Sequence, residues 1–244
     1  MNAGLWNKIL ASYTPQKRAW EKKYPYDYYI LRPISFPLTW LAAKAGLTPN
    51  QVTFLTVLIS LAGCILLAQG TRHYLIAGGL LISFFNLADC IDGNLARMNP
   101  VPSKRGAFLD SIAGYPYYAA YLAAGVGLYR MGEHPLFLWA GMAALLFEML
   151  GAHIELCYDY FSLVSAQNIQ KDEGNIAGGS SGLTATTTYT VYRNLTELIA
   201  HDFLFPLTAF TGHLGLFLVA SSAIKSVNFF VSLVYFVIRS KRWN

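Results

Sequence analysis

Apolar stretches long enough to cross a bilayer recur near 50–69, 73–96, 106–130, 135–163, 195–212 and 214–238. In hydrocarbon, backbone N–H and C=O groups have no water to bond, so spans of this length satisfy themselves as helices. The alternative, six buried core helices in a soluble chain of 244 residues, requires a large core with almost no polar elements. The expected fold is an all-α integral membrane protein with six transmembrane helices over 48–244. An N-terminal cytoplasmic and interfacial segment, 1–47, precedes them. Composition agrees: 55% of residues are hydrophobic and 13% charged.

Basic residues set the expected orientation. Seven lie at or before Lys44 and eight more at Arg97, Lys104, Arg105, Lys171, Arg193, Arg239, Lys241 and Arg242, fifteen on one side if the N-terminus is cytoplasmic. Arg72 and Arg130 fall on the other side, and Lys225 lies within the last span. The bias predicts cytoplasmic N- and C-termini. The net charge of +5 is therefore read as membrane topology, and no nucleic acid partner is expected.

The first 33 residues carry recurrent charges and no apolar core of a signal peptide. Leu5, Trp6, Ile9, Leu10 and Trp20 among lysines, with the tyrosines from Tyr24 to Tyr29, read as a segment lying on an anionic leaflet, or else as a flexible basic tail. Ile34 to Leu47 reads as a short in-plane amphipathic helix, with Pro33 at its start and Gly46 and Pro49 at its stop. Cys64, Cys90 and Cys157 are widely separated and read as packing residues. The polar interval Gln167 to Tyr189 reads as a flexible cytoplasmic connection or, slightly favoured, as a loop that covers the acceptor. The sequon at Asn194 falls on the cytoplasmic side and carries no weight.

Three carboxylates sit inside these apolar segments, where ionisable groups are costly and need a partner. Asp89 and Asp92 are spaced i, i+3, and Gly93 and Ala96 continue their face as a groove poor in side chains. Gly106 and Asp110 are spaced i, i+4 on the following helix. Three converging acids suit a hard divalent cation, Mg²⁺ or Mn²⁺. A cation beside a bare groove, with Arg97 a turn away, suits a diphosphate.

The pattern D-x2-D-G-x2-A-R-x8-G-x3-D, running from Asp89 to Asp110, resembles the signature of the CDP-alcohol phosphotransferases. Thr48-Pro49-Asn50-Gln51-Val52-Thr53 is similar to that family's TPN-x-x-T approach to its first span, and Ser103 matches a family position that touches nucleotide. The resemblance implies six spans and transfer of a phosphoalcohol group from a CDP-linked donor to an acceptor hydroxyl, with release of CMP. It implies metal ligands at Asp89, Asp92 and Asp110. It implies nucleotide and diphosphate contacts at Pro49, Asn50, Gln51, Val52, Gly93, Ala96, Arg97, Ser103 and Gly106, and it implies a homodimer. Gly125, Gly132 and Gly141 offer close-packing faces for one. The family pattern ends with one more Asp, the general base for the acceptor, and here that position is Gly114.

The expected function is metal-dependent transfer from CDP-diacylglycerol, or from a soluble CDP-alcohol, to an acceptor in phospholipid synthesis. Depth along the fourth span points to Glu155, then His153, as replacement bases. Glu148, Asp159, Glu197, His201, Asp202 and Lys225 read as interhelical hydrogen-bonding residues. The competing class is a non-catalytic nucleotide or lipid binder, a partner subunit of an active homologue. A divalent-metal transporter shares the acids but gives no reason for the glycine-and-arginine groove.

Overall fold

The computed structural model describes residues 3–22, 24–99, 103–172 and 203–240. Helix α1 (Ala3–Ser12) turns into α2 (Pro15–Glu21), whose Thr14 cap accepts a hydrogen bond from the Lys17 N–H at 3.2 Å, with Pro15 in the first turn. A π-helical turn (Asp27–Leu31) leads into α3 (Arg32–Lys44), which ends at Gly46 with φ 74°. Helix α4 (Pro49–Leu67) starts at a reciprocal capping box. The Gln51 N–H donates to Thr48 Oγ1 at 3.4 Å, and the Thr48 N–H donates to Gln51 Oε1 at 2.9 Å. Helices α5 (Arg72–Arg97), α6 (Lys104–Arg130), α7 (Leu136–Asp172), α8 (Leu204–Thr211) and α9 (Leu214–Ser240) follow.

Among the described residues, four helical stretches are long and apolar enough to cross a membrane: Pro49–Leu67, Arg72–Arg97, Leu136–Ser162 and Leu214–Ser240. They make this a multi-pass membrane protein. Phe54, Ile65, Trp139, Leu146, Phe230 and Val234 point outward and are exposed, a surface that water does not tolerate and lipid does. Helix α6 has spanning length, but its Gly, Tyr and Pro content makes it less apolar. Of the stretch expected at 195–212, Leu204–Thr211 is helical, and residues 195–202 lie outside the described residues. Arg193, Asn194, Glu197, His201, Asp202 and most of the Gln167–Tyr189 interval lie outside the described residues.

Helix α4 packs against α5 and α6, α7 packs between α6 and α9, and α8 lies on α5. The main core gathers Leu67, Leu75, Ile82, Tyr121, Phe205 and Leu218. Glycines permit the approach: a Cβ at Gly78 would stand 2.7 Å from the Gly63 carbonyl oxygen, and one at Gly127 would overlap the Leu67 carbonyl. The faces offered by Gly125 and Gly141 are consumed within the chain. A Cβ at Gly125 would lie 2.8 Å from the Phe137 oxygen, and Gly141 closes on the Tyr121 carbonyl. Gly132 holds φ 84° in the α6–α7 turn and is open.

The amphipathic helix α3 is found where expected, but it turns its polar stripe inward. Arg32, Ser35 and Thr39 are buried, while Ile34 and Leu41 are exposed. The N-terminal segment docks on this assembly, with α1 against α3 and α5, and Ile9, Ser12 and Tyr13 buried. It is a built part of the fold.

Candidate metal and nucleotide site

Asp89 and Asp92 lie near the C-terminal end of α5, and Asp110 lies in the second turn of α6. One carboxylate oxygen from each falls within 4.8 Å of the others. Two unit charges about 5 Å apart repel by roughly 3 kcal/mol at an effective dielectric near 20, a repulsion that a bound cation or a proton would relieve. The donor set is all oxygen, which suits Mg²⁺ or Mn²⁺ and disfavours zinc. Thr53 Oγ1 donates to Asp92 Oδ2 at 2.7 Å, orienting the buried member, whereas Asp89 and Asp110 are exposed.

The groove residues collect at the same end. A Cβ at Gly93 would lie 3.1 Å from Arg97 Nη1, so the bare backbone lets the guanidinium lie along the helix. Ala96 is exposed beside it. Across the groove, a Cβ at Gly106 would lie 3.1 Å from Asn50 Oδ1 and 3.4 Å from Ser103 Oγ, which joins the start of α4 to the start of α6. Ser103 Oγ accepts from the Gly106 N–H at 3.0 Å as the cap of α6. Pro49 opens α4, and Gln51 spends its side chain on the capping box. Val52 is turned inward: it is 7% exposed and packs with Ile91 and Leu95, because the i, i+3 face it occupies meets α5. Its side chain is a packing residue.

On the acceptor side, Gly114 is half-buried one turn beyond Asp110. A Cβ there would meet Tyr118 Oη at 3.6 Å. Beside the two other carboxylates, the cations that bear on Asp110 are Arg97 and Lys17, the latter from α2. Glu155, with Glu148 and Lys225, bears electrostatically on the Tyr118 phenol, the group that faces position 114. His153 is exposed, with Nε2 3.5 Å from Cys157 Sγ on its own helix. Helix α7 continues past the expected end of its span, to Asp172. Lys225 Nζ donates to Glu148 Oε2 at 2.7 Å, the interhelical bond expected of both.

Several residues were not read as functional from the sequence. Thr53 was visible only as the last letter of its motif, and Asn94 only as a variable position inside another. Lys17, Glu21 and Arg32 lie outside both motifs. Burial pushes the Glu21 carboxyl up, but the bonded Arg32 guanidinium, with Lys17 and Tyr13, holds it below the ordinary glutamate value. Burial and the neighbouring Glu21 push the Tyr13 phenol up to about 12.

A profile of the CDP-alcohol phosphatidyltransferase family matches residues 46–238. A phosphatidylinositol phosphate synthase of Cutibacterium acnes is 34% identical over 121 residues, 48% of this chain and 56% of the relative. The synthase of Mycolicibacterium smegmatis is 33% identical over 98 residues, 36% of this chain and 43% of the relative. The chain thus spans about half the length of the curated relatives it matches. The fold is similar to crystal structures of the Mycobacterium tuberculosis phosphatidylinositol phosphate synthase. With CDP-DAG bound, the TM-score is 0.53 at 21% identity, covering 82% of this chain and 92% of that one. With manganese and citrate, the TM-score is 0.53 at 21% identity, covering 85% and 88%.

Proposed function

The chain belongs to the CDP-alcohol phosphatidyltransferase family, and on that premise we propose that it transfers a phosphatidyl group from CDP-diacylglycerol to an acceptor hydroxyl, releasing CMP, in phospholipid synthesis. The observation that carries this reading is the convergence of Asp89, Asp92 and Asp110 within 4.8 Å, beside the Gly93–Arg97 groove. The relatives' name, phosphatidylinositol phosphate synthase, makes a phosphate-bearing polyol the acceptor class to try first. The donor follows from the CDP-DAG held by a protein of the same fold.

Asp89, Asp92 and Asp110 would hold one or two divalent cations, Mg²⁺ or Mn²⁺. When bound, such a cation neutralises phosphoryl oxygens and stabilises the leaving CMP. Arg97 presents its guanidinium edge to the diphosphate, which Gly93 allows to approach the helix backbone. Asn50, Ser103 and Gly106 frame the nucleotide. Thr53 keeps Asp92 turned toward the cluster. The acceptor enters on the Gly114 side, where glycine stands in place of the carboxylate of the family pattern. Glu155 and His153 remain the candidate replacements in this reading, and an acceptor ionised by its own phosphate is the other solution. The site faces the cytoplasm, and the working unit is a homodimer.

Gly114 favours a second reading, a non-catalytic binder of nucleotide or lipid. The experiment that separates the two is CMP release from CDP-diacylglycerol in nanodiscs with Mn²⁺, across polyols and their phosphates. Release that disappears in Asp92→Asn supports the transferase. Tight donor binding without release from any acceptor supports the binder. Arg97→Lys is expected to weaken donor binding despite the retained charge, and unchanged affinity removes Arg97 from the site.

A further inference from the structure

Arg97 is held by residues that neither motif specifies. Its Nη2 donates to Asn94 Oδ1 at 3.0 Å and its Nε to the Ser12 carbonyl at 3.1 Å. The same Asn94 oxygen accepts from Arg32 Nη1 at 2.7 Å, while the amide nitrogen donates to Ser35 Oγ at 3.2 Å and Thr39 Oγ1 at 3.0 Å. The carboxamide has every donor and acceptor in use, which sets its orientation: oxygen toward the guanidiniums, nitrogen toward the hydroxyls. Arg32 is anchored in turn by Glu21, through Nε to Oε2 at 2.9 Å and through a shorter Nη2–Oε1 pair. Glu21, Arg32, Ser35, Thr39 and Asn94 are all at most 3% exposed. Ser12, Glu21, Arg32, Ser35 and Thr39 all precede residue 46, where the family match begins.

We infer that Asn94 is a positioning residue for donor binding: backed by Glu21–Arg32 and by Ser35 and Thr39, it fixes the Arg97 fork, and the docked N-terminal helices thereby form part of the donor site. This rests on the reading of Arg97 as a diphosphate ligand. Arginine carries five N–H donors, and the two bonds to Ser12 and Asn94 leave the other three for a ligand. Pinning the fork before binding removes the rotamer cost that a free arginine would meet on capturing the donor. The side chain has to be neutral. Aspartate at 94 would bind both guanidiniums by charge-assisted bonds, roughly twice as strong, and would compete with the diphosphate for Arg97. It would also lose both donors to Ser35 and Thr39.

The test measures CDP-diacylglycerol affinity of the full chain in nanodiscs with Mn²⁺, alongside Mn²⁺ affinity and melting temperature. Asn94→Ala is expected to weaken donor binding by about tenfold, the loss of one hydrogen bond to a charged group, with Mn²⁺ affinity unchanged. In an Arg97→Ala background the same substitution is expected to change nothing further, because its effect runs through Arg97. Should Asn94→Ala fail to fold, the pair Ser35→Ala and Thr39→Val frees the amide to rotate, with a loss of about threefold expected that again vanishes without Arg97. Wild-type donor affinity in the folded variant overturns the inference, as does an equal loss in the Arg97→Ala background. If Arg97→Ala itself leaves donor affinity unchanged, the reading of the groove fails and the inference fails with it.

Discussion

Replacing Gly114 with aspartate tests the acceptor side of the site directly. A Cβ at 114 meets Tyr118 at 3.6 Å and 3.7 Å, ordinary contact distances, so the side chain enters without moving the backbone. Gly is about 1 kcal/mol worse than Ala inside a helix, and Asp is only slightly better than Gly, so helix propensity changes by a few tenths of a kcal/mol at most. Chemistry is therefore the variable. A carboxylate one turn from Asp110 lies about 6 Å from it, and at an effective dielectric near 20 the two repel by roughly 3 kcal/mol in metal-free protein. A divalent cation at the cluster turns that repulsion into a larger attraction, so Mn²⁺ should bind at least about tenfold more tightly. A base restored there should raise CMP release with neutral alcohols by about 10²–10⁴-fold. Mn²⁺ titration by electron paramagnetic resonance and chromatographic CMP release measure the two effects, and Gly114→Asn, of the same shape without the charge, should show neither. Unchanged Mn²⁺ affinity in Gly114→Asp would refute the placement of position 114 at the metal. Tightened Mn²⁺ binding with no gain in release would show that the acceptor needs no base from this position.

Three further outcomes are expected. Thr53→Val removes the 2.7 Å bond to Asp92 and should cost about 1.5–3 kcal/mol of Mn²⁺ affinity by calorimetry; wild-type affinity would show that Thr53 does not orient the ligand. Because Glu21 is held below the ordinary glutamate value of 4.5, its contribution to docking α1 and α2 is fully present above about pH 4.5 and is lost as pH falls through its lower folded value. Amide exchange in those helices should accelerate only on the acid side, whereas Glu21→Gln, which leaves Arg32 buried without its counter-charge at a cost of about 3–5 kcal/mol, should exchange rapidly at every pH. Gly78→Ala drives a methyl to within 2.7 Å of the Gly63 oxygen and should destabilise the α4–α5 contact by about 1–3 kcal/mol in a thermal melt; an unchanged melt would show that the two helices do not approach so closely.

The parts of the site legible in the sequence are those set by spacing along one helix. Asp89 and Asp92 share a face because they are three apart, and Gly106 and Asp110 because they are four apart, so each half of the cluster was readable locally. The capping box of Thr48 and Gln51 and the cap at Ser103 are likewise short-range events. Glu155 and His153 rest on matching depth between helices, which spacing along one helix does not supply, and α7 runs on past the expected end of its span. Hydropathy ends where charges begin, but a helix ends only where its hydrogen bonding does.

Apolar length and local periodicity determined that the chain folds into membrane-crossing helices and carries three acids and an arginine at fixed offsets. Both are properties of contiguous residues, and the bilayer's thickness supplies the ruler. Tertiary structure decided that Asn50 meets Gly106, that Thr53 turns Asp92, and that α3 buries its polar stripe. It also decided that Ser12 and Arg32 reach the motif helix across separations of up to 85 residues. Those contacts join side chains of ordinary type from different helices. Helix packing in a membrane is set by small residues and buried polar pairs distributed over the whole bundle, and no local window of sequence contains them.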